Sequence, residues 1–277
     1  MIMSDLNPNT TLTLNDGNLI PQIGFGVFEI TDKNICEKSV KVALDEGYRH
    51  IDTAIVYNNE EYVGNAIKNS SVDRSEIFIT TKYFPDKVDK AREELQISLD
   101  KLKTDYIDLF LVHWPVGDYL KTWESFQDLH KEGLCKSIGV SNFTIKRFEK
   151  DFFVKFNRSP AVNQIELHLF NQERELDEYC SNKGIILEAY SPLARAQKFS
   201  NHVLKSIAKS VEKSPAQVMI RYLLQKGIVV IPKSKNPKRI KENIQVFDFN
   251  LDDEIVKRLD ALNEGYISLG WTPPDYY

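Results

Sequence analysis

The sequence has few cysteines, no long apolar run and no excess of positive charge. Its three cysteines are an odd number without a CxxC pair, which predicts reduced, buried thiols and not a disulfide framework (Cys36, Cys135 and Cys180). No stretch approaches the ~20 apolar residues of a membrane-spanning helix. The first ten residues also lack the basic and apolar segments of a signal peptide. We therefore expect a cytoplasmic protein without a membrane partner.

The charge balance argues against nucleic acid as a partner. The formal net charge is −4 at pH 7 and the isoelectric point is near 5.8, whereas a nucleic-acid surface needs a basic face. The apolar content of 42% and charged content of 27% are ordinary for a globular protein. A chain of 277 residues can bury a large core without disulfides or a structural metal.

Short apolar runs alternate with helical patterns along most of the chain. Before them, residues 11–14 and 18–21 flank the turn sequence Asn15-Asp16-Gly17, which predicts a β-hairpin. Eight strands are then predicted at residues 23–27, 50–53, 77–81, 107–113, 137–140, 161–166, 185–190 and 228–231. Helices are predicted at residues 32–46, 60–68, 87–102, 122–132, 144–153, 173–183, 201–209, 214–225, 237–245 and 252–262, followed by an irregular tail.

This alternation predicts an α/β fold, because parallel strands need crossover connections. Eight units in a chain of this length favour a closed (β/α)8 TIM barrel over an open sheet. We expect a single domain over residues 1–277, with the hairpin as an N-terminal cap and the last helix as a C-terminal addition.

Nearly every predicted strand ends in a polar side chain. In a barrel these ends meet in one ring, which is where the active sites of this fold lie. A single polar residue at a strand end is usually a cap, but a ring of mixed charge and type is not easily explained that way. The residues are Asp52, Lys82, His113, Ser141, Asn142, Gln164, Tyr190 and Lys233.

Three motifs in this order resemble the signatures of the aldo-keto reductase family, and the resemblance covers essentially the whole chain. The first lies in residues 47–64 and contains Asp52-Thr53-Ala54-Ile55-Val56-Tyr57-Asn58-Asn59-Glu60. The second is KSIGVSNF at residues 136–143, and the third is IPKSKNPKRIKEN at residues 231–243. The resemblance is to the compact microbial branch, which includes diketogluconate, methylglyoxal and glyoxal reductases; some protist relatives reduce prostaglandin H2.

The resemblance implies a catalytic tetrad of Asp52, Tyr57, Lys82 and His113. Carbonyl reduction needs a proton donor, and an ammonium beside a tyrosine is expected to lower the phenol pKa from ~10 towards working pH. Asp52 would hold Lys82, and a neutral His113 would orient the carbonyl oxygen.

Taken separately, each tetrad residue also has a structural explanation. Asp52 and Lys82 suit an ion pair between two strands, Tyr57 suits packing on Trp114, and His113 suits a capped core histidine. Their occurrence together with the three motifs favours the catalytic interpretation.

The cofactor implied by the resemblance is NADP(H). A Rossmann fingerprint is excluded, because Gly24-Phe25-Gly26 lacks the third glycine and the acidic ribose ligand. By resemblance, Ser141, Asn142 and Gln164 bind the nicotinamide carboxamide and Tyr190 stacks on its ring. Ser191 and Leu193 cover the pyrophosphate, Lys233, Ser234 and Arg239 bind the 2′-phosphate, and Glu242 and Asn243 lie beside the adenine. The loop departs from many relatives at Ala194-Arg195-Ala196, where they have glycines and where Arg195 adds a charge.

Aromatic residues are predicted to line a substrate mouth for small aldehydes, ketones or dicarbonyls, although they also suit rim packing. They are Phe28, Tyr83, Trp114 and Trp271.

The resemblance further implies a monomer without a metal. Two other functions remain open: an NADP(H)-binding redox sensor or structural protein descended from a reductase, and a phosphate-binding barrel lyase or isomerase. The last would use a metal cluster or Lys82 as a Schiff base.

Overall fold

Eight parallel strands form one sheet in the computed structural model, which describes residues 6–85 and 89–270. An antiparallel hairpin, β1 (Thr11–Thr13) and β2 (Leu19–Pro21), precedes the sheet as the turn sequence predicted. The sheet strands are β3 (Phe25–Gly26), β4 (His50–Asp52), β5 (Phe78–Tyr83), β6 (Ile107–Val112), β7 (Cys135–Ser141), β8 (Val162–Glu166), β9 (Ile186–Tyr190) and β10 (Val229–Val230). Each strand pairs with its neighbour along the chain.

The first and last strands of the sheet meet, so the sheet closes on itself. Ile23 forms a parallel bridge with Val230, and the Gly24 N–H donates to the Val230 carbonyl at 2.8 Å. The hairpin closes the N-terminal end of the barrel, because Leu14 and Ile20 pack in one cluster with barrel residues such as Leu109. The predicted (β/α)8 barrel with its N-terminal cap is confirmed.

The helices surround the sheet close to their predicted positions. They are α1 (Lys33–Asp45), α2 (Glu60–Lys68), α3 (Ala91–Leu102), α4 (Tyr119–Lys131), α5 (Ile145–Arg147), α6 (Phe153–Lys155), α7 (Arg174–Asn182), α8 (His202–Ser210), α9 (Pro215–Gln225), α10 (Pro237–Ile244) and the additional α11 (Asp253–Asp260). None of the helices within the described ranges is long and apolar enough to cross a bilayer.

Helix boundaries differ from prediction where local capping decides them. Helix α4 begins about one turn earlier than predicted, because the Asp118 carboxylate accepts from the Lys121 N–H at 3.1 Å. Between α5 and α6, Phe148–Phe152 forms a π-helical turn, so the predicted single helix over 144–153 has three parts. Helix α9 carries the capping box that Ser214-Pro215 indicated, with Gln217 as its third residue.

The three cysteines are free thiols buried in the core, as predicted. Burial raises the pKa of Cys36, Cys135 and Cys180 to about 12, so almost no thiolate exists near neutral pH.

We expect the native protein to incorporate less than about one iodoacetamide per chain in an hour at pH 8, and all three thiols to react in denaturant. Intact mass spectrometry measures both. Rapid labelling of the native protein would contradict the buried placement.

Candidate active site

A cavity of about 970 Å³ opens at the C-terminal end of the barrel. Its wall contains the ends of the strands and the loops that follow them. Asp52, Tyr57 and His113 of the predicted tetrad line it, and Lys82 lies buried beneath. All eleven residues predicted to bind the cofactor also line it: Ser141, Asn142, Gln164, Tyr190, Ser191, Leu193, Lys233, Ser234, Arg239, Glu242 and Asn243. The structure therefore brings the predicted site residues into one cavity.

The floor of the cavity is a buried ion pair between two neighbouring strands. Lys82 on β5 donates from Nζ to Asp52 Oδ1 on β4 at 2.6 Å and to the Thr53 carbonyl at 2.8 Å. Gln164 on β8 donates from Nε2 to Asp52 Oδ2 at 2.8 Å. Asp52 thus has a charged partner and an amide partner, which offset the cost of burying its carboxylate.

Tyr57 lies in the 3₁₀ turn Ile55–Tyr57 that follows β4. Asn59, which follows the turn, fixes its position by two hydrogen bonds. The Asn59 amide donates to the Val27 carbonyl at 3.0 Å, and the Asn59 side-chain oxygen accepts from Thr53 Oγ1 at 2.7 Å. The Tyr57 ring lies 5.1 Å from Lys82 Nζ and packs edge-on against His113, with ring centroids 5.7 Å apart. The structure thus places the three polar groups of the predicted chemistry side by side.

The pKa of Tyr57 corrects one expectation from the sequence. Lys82 was expected to lower it, but burial, followed by the negative field of the Asp52 carboxylate, raises the pKa of Tyr57 well above its usual value. The physical reason is that the Lys82 ammonium is bonded to Asp52 and to a backbone carbonyl. Tyr57 consequently keeps its proton at neutral pH, as a proton donor must.

His113 follows β6, and its surroundings favour the neutral imidazole that the proposed chemistry needs. Burial, with the nearby Lys82 ammonium, holds the pKa of His113 well below its usual value. The His113 carbonyl accepts from Asn142 Nδ2 at 3.0 Å, which ties the end of β6 to the end of β7. A neutral imidazole in this position can donate one hydrogen bond to a carbonyl oxygen without competing for the proton of Tyr57.

Three side chains predicted for the nicotinamide, those of Ser141, Asn142 and Tyr190, form a connected network with the backbone carbonyl of Gln164. Ser141 Oγ donates to the Gln164 carbonyl at 2.8 Å and accepts from Asn142 Nδ2 at 3.0 Å. Tyr190 donates from its hydroxyl to Asn142 Oδ1 at 2.9 Å. Asn142 has a positive φ of 66°, a conformation that asparagine tolerates well. Each of these groups is therefore oriented by a hydrogen bond to another.

One part of the cavity wall carries several cations. Lys233, Lys235 and Arg239 line the cavity where the chain leaves β10 and enters α10. Asn236 caps α10 by accepting from the Lys238 N–H at 2.9 Å, and Ser234 Oγ accepts from the Asn236 N–H at 3.1 Å. Cations at the start of a helix suit a phosphate ester.

These groups fit an extended dinucleotide phosphate. The amide and hydroxyl network and the cationic cluster line the same cavity. A nicotinamide needs amide and aromatic partners at the reacting end, and an adenosine 2′-phosphate needs cations at a distance from it. The chain supplies both sets.

The loop after β9 has an unusual backbone conformation and forms an ion pair across to another loop. The sequence indicated only the additional charge of Arg195. Ala194, Arg195 and Ala196 have φ values of 46°, 50° and 63°, a region of backbone conformation that glycine adopts more readily than other residues. Arg195 Nη2 lies 3.2 Å from Glu29 Oε1, and Lys233 Nζ lies 3.6 Å from Glu29 Oε2. Glu29 therefore links the loop after β9 to the segment after β10.

Of the four predicted substrate residues, Phe28 and Trp114 line the cavity. Tyr83 does not: it is buried in the core, and its hydroxyl accepts from the Lys90 N–H at 3.1 Å. Strand alternation explains this, because Tyr83 and Phe84 point to opposite sides. Phe84 lines the cavity instead and packs on His113 with ring centroids 6.0 Å apart. Trp271 lies outside the described residues.

Two acidic residues of functional interest were not predicted. A feature of the sequence could have indicated Glu188, whereas Glu29 is notable only in the structure. Glu188 lies in the apolar run IILEAY, where a fully buried strand would not be expected to carry a charge. Glu29 has a positive φ of 61° in an otherwise regular strand-to-helix connection. Neither lies in one of the three motifs.

The contacts of Lys82 bear on the lyase or isomerase alternative. A Schiff-base lysine must reach an uncharged form, whereas the Lys82 ammonium is held by two acceptors and is fully buried. Within the described ranges, no cluster of three or more His, Cys, Asp or Glu side chains is arranged to hold a metal ion.

Comparison with known proteins agrees with this geometry. The model of the Aldo/keto reductase family matches residues 22–264. Methylglyoxal reductase DkgA of Escherichia coli K12 is 45% identical over 264 residues, covering 94% of this chain and 95% of that protein. Glyoxal reductase of Bacillus subtilis is 45% identical over 262 residues, covering 92% and 93%.

Solved structures give the same result. The aldo-keto reductase MGS-M4 from a deep-sea metagenome library superposes with a TM-score of 0.89 at 42% identity, covering 92% of this chain and 96% of that one. The Bombyx mori aldo-keto reductase AKR2E4, solved in complex with NADP, superposes with a TM-score of 0.87 at 37% identity and 95% coverage of both chains.

Proposed function

The chain belongs to the aldo/keto reductase family of NADP-dependent oxidoreductases, and from this premise we propose that it reduces small aldehydes, ketones or dicarbonyls to alcohols with NADPH. Tyr57 is the proton donor in this proposal. The observation that carries it is the arrangement of Tyr57, Lys82 and His113 around one point of the cavity floor, next to an amide network suited to nicotinamide. The methylglyoxal and glyoxal reductases among the relatives favour dicarbonyls as substrates.

NADPH, when bound, supplies the hydride; the protein's residues control the proton and the orientation. His113 donates a hydrogen bond to the carbonyl oxygen and polarises it. Tyr57 transfers its hydroxyl proton to that oxygen as negative charge develops there. The Lys82 ammonium, 5.1 Å from the ring, then stabilises the tyrosinate, and Asp52 holds Lys82 in place. Phe28, Trp114 and Phe84 shield the reacting end from water.

NADPH oxidation followed by absorbance tests this proposal. Methylglyoxal, phenylglyoxal and a nitrobenzaldehyde are the substrates, each with a control lacking the carbonyl. We expect turnover with all three and formation of the alcohol by mass spectrometry. Tight NADPH binding without turnover would instead favour the redox-sensing or structural protein. Trapping of a carbonyl substrate on the protein by borohydride would favour the lyase or isomerase.

The cations of the cavity wall lead to a prediction about cofactor choice. Arg239→Gln removes one of these cations without touching the catalytic floor. A hydrogen bond to a charged group contributes about 1.5–3 kcal/mol, so we expect the KM for NADPH to rise about 10- to 100-fold. NADH lacks the 2′-phosphate, and its KM should change less than about threefold. Lys238→Gln removes a neighbouring cation that does not line the cavity and is the matched control. An equal loss with both cofactors would contradict this assignment.

A further inference from the structure

A second carboxyl group lies inside the barrel beneath the catalytic pair. Glu188 on β9 is fully buried, and among the described residues neither of its carboxyl oxygens has a hydrogen-bond partner. Its neighbour in register on β8 is Gln164, which directs its amide to Asp52. A buried, unpartnered carboxylate is among the costliest groups a protein can contain, so the group requires an explanation.

The group that faces Glu188 across the barrel is also uncharged. His50 on β4 is fully buried, and its Nε2 lies 3.6 Å from Glu188 Oε1 and 2.9 Å from Thr80 Oγ1. Burial, followed by the nearby Lys82 ammonium, lowers the pKa of His50 to about 3. Gly24 leaves the room for this ring, since a Cβ there would lie 2.7 Å from His50 Nδ1. A neutral imidazole cannot compensate an ionised Glu188.

The remaining charges around Glu188 balance without it. Lys82 and Asp52 form a 1:1 pair, and Tyr57 above them is a neutral phenol. Ionising Glu188 would add an uncompensated negative charge to this buried group. Burial, together with the Asp52 carboxylate, raises the pKa of Glu188 to about 8, while the Lys82 ammonium and the Gln164 amide oppose the shift. Charge counting and geometry therefore agree that Glu188 holds a proton at neutral pH.

We propose that Glu188 is a positioning residue for the proton transfer. When Glu188 is a neutral acid, the Lys82 ammonium acts electrostatically on Asp52 and Tyr57 without a further counter-ion. When Glu188 ionises, Tyr57 becomes a weaker proton donor. The second effect follows from Coulomb's law, because a carboxylate beneath the phenol opposes the negative charge that forms on the tyrosine oxygen during the transfer. The inference rests on the proposed carbonyl reduction.

The test is the pH dependence of kcat for methylglyoxal reduction in the wild type, Glu188→Gln and Glu60→Gln. Glutamine has the shape of the neutral acid but cannot ionise. In the wild type we expect kcat to fall at least about fivefold between about pH 6.5 and about pH 9.5. In Glu188→Gln the same ratio should be less than about twofold.

Glu60→Gln is the matched control. Glu60 is also a buried carboxyl whose pKa is raised by burial, but it lies on α2 and accepts from Thr81 Oγ1 at 2.7 Å, away from the catalytic pair. Its pH profile should follow that of the wild type. An alkaline limb that persists unchanged in Glu188→Gln would overturn the proposal. Absence of turnover in the wild type at every pH would instead refute the proposed function itself.

A second measurement does not depend on activity. The infrared spectrum of the wild-type protein should show the carbonyl band of a protonated carboxylic acid at neutral pH that disappears at alkaline pH. The band should persist in Glu60→Gln and be missing in Glu188→Gln. If the alkaline-sensitive band is lost in Glu60→Gln and kept in Glu188→Gln, or is absent in the wild type, Glu188 is ionised and the proposal fails.

Discussion

Replacing Tyr57 with phenylalanine should lower kcat for carbonyl reduction by about 10²–10⁴-fold, the usual contribution of a positioned general acid. The substitution removes one hydroxyl and leaves the ring contacts with Phe28 and His113, at centroid distances of 5.0 and 5.7 Å, in place. The cofactor network of Ser141, Asn142 and Tyr190 does not include the Tyr57 hydroxyl. We therefore expect the Kd for NADPH, measured by fluorescence titration, to change less than about twofold.

Tyr179→Phe is the control for loss of a tyrosine hydroxyl as such. Tyr179 lies on α7 and donates to Glu149 at the surface, away from the cavity. This variant should keep the wild-type kcat. A Tyr57→Phe enzyme that turns over at more than about a tenth of the wild-type rate would exclude Tyr57 as the proton donor, since general acid catalysis contributes far more than this.

Replacing Lys82 with methionine should have the largest effect on stability. The change leaves the Asp52 carboxylate buried without its charged partner, and breaking a buried ion pair in this way costs about 3–5 kcal/mol. We expect this loss in the free energy of unfolding from urea titration at about pH 8. Lys41→Met, which removes an exposed pair with Asp45 on α1, should cost less than about 1 kcal/mol.

The pH dependence of that loss gives an independent check. Without Lys82, burial raises the pKa of Asp52 in the folded state above its unfolded value. The folded variant then binds a proton more readily than the unfolded chain, so its stability declines as pH rises through the folded pKa. The difference from the wild type should be smaller near pH 5 than near pH 8. A pH-independent difference would mean that packing, and not charge, dominates.

The architecture was predictable because each strand carries its own signal. Apolar runs separated by helical periodicity fix the number and order of units, and the polar residues at their ends mark the open rim. The tetrad and the cofactor-binding residues were inferred from a resemblance whose three motifs contain or directly follow strands β4, β7 and β10. The residues at the strand ends line one cavity because the strand ends meet there.

Side-chain direction and charge state were less predictable. Tyr83 and Phe84 are adjacent aromatics, and only the backbone of β5 decides which one faces the cavity. The pKa of Tyr57 depends on burial and on Asp52 and Glu188, which lie on two strands that are far apart in the sequence. Local sequence patterns carry no information on the combined effect of burial and of charges from distant strands. The expected lowering of the Tyr57 pKa by Lys82 alone therefore had the wrong sign.

Transfer of deuterium from NADPH labelled at nicotinamide C4 to the product tests the central claim most directly. The enzyme is incubated with methylglyoxal and each cofactor isotopologue, and the alcohol is analysed by mass spectrometry. We expect the label on the carbinol carbon of the product, with Tyr57→Phe giving the same product far more slowly. An alcohol that carries no label from C4, or no alcohol at all, would contradict hydride transfer from NADPH in this cavity.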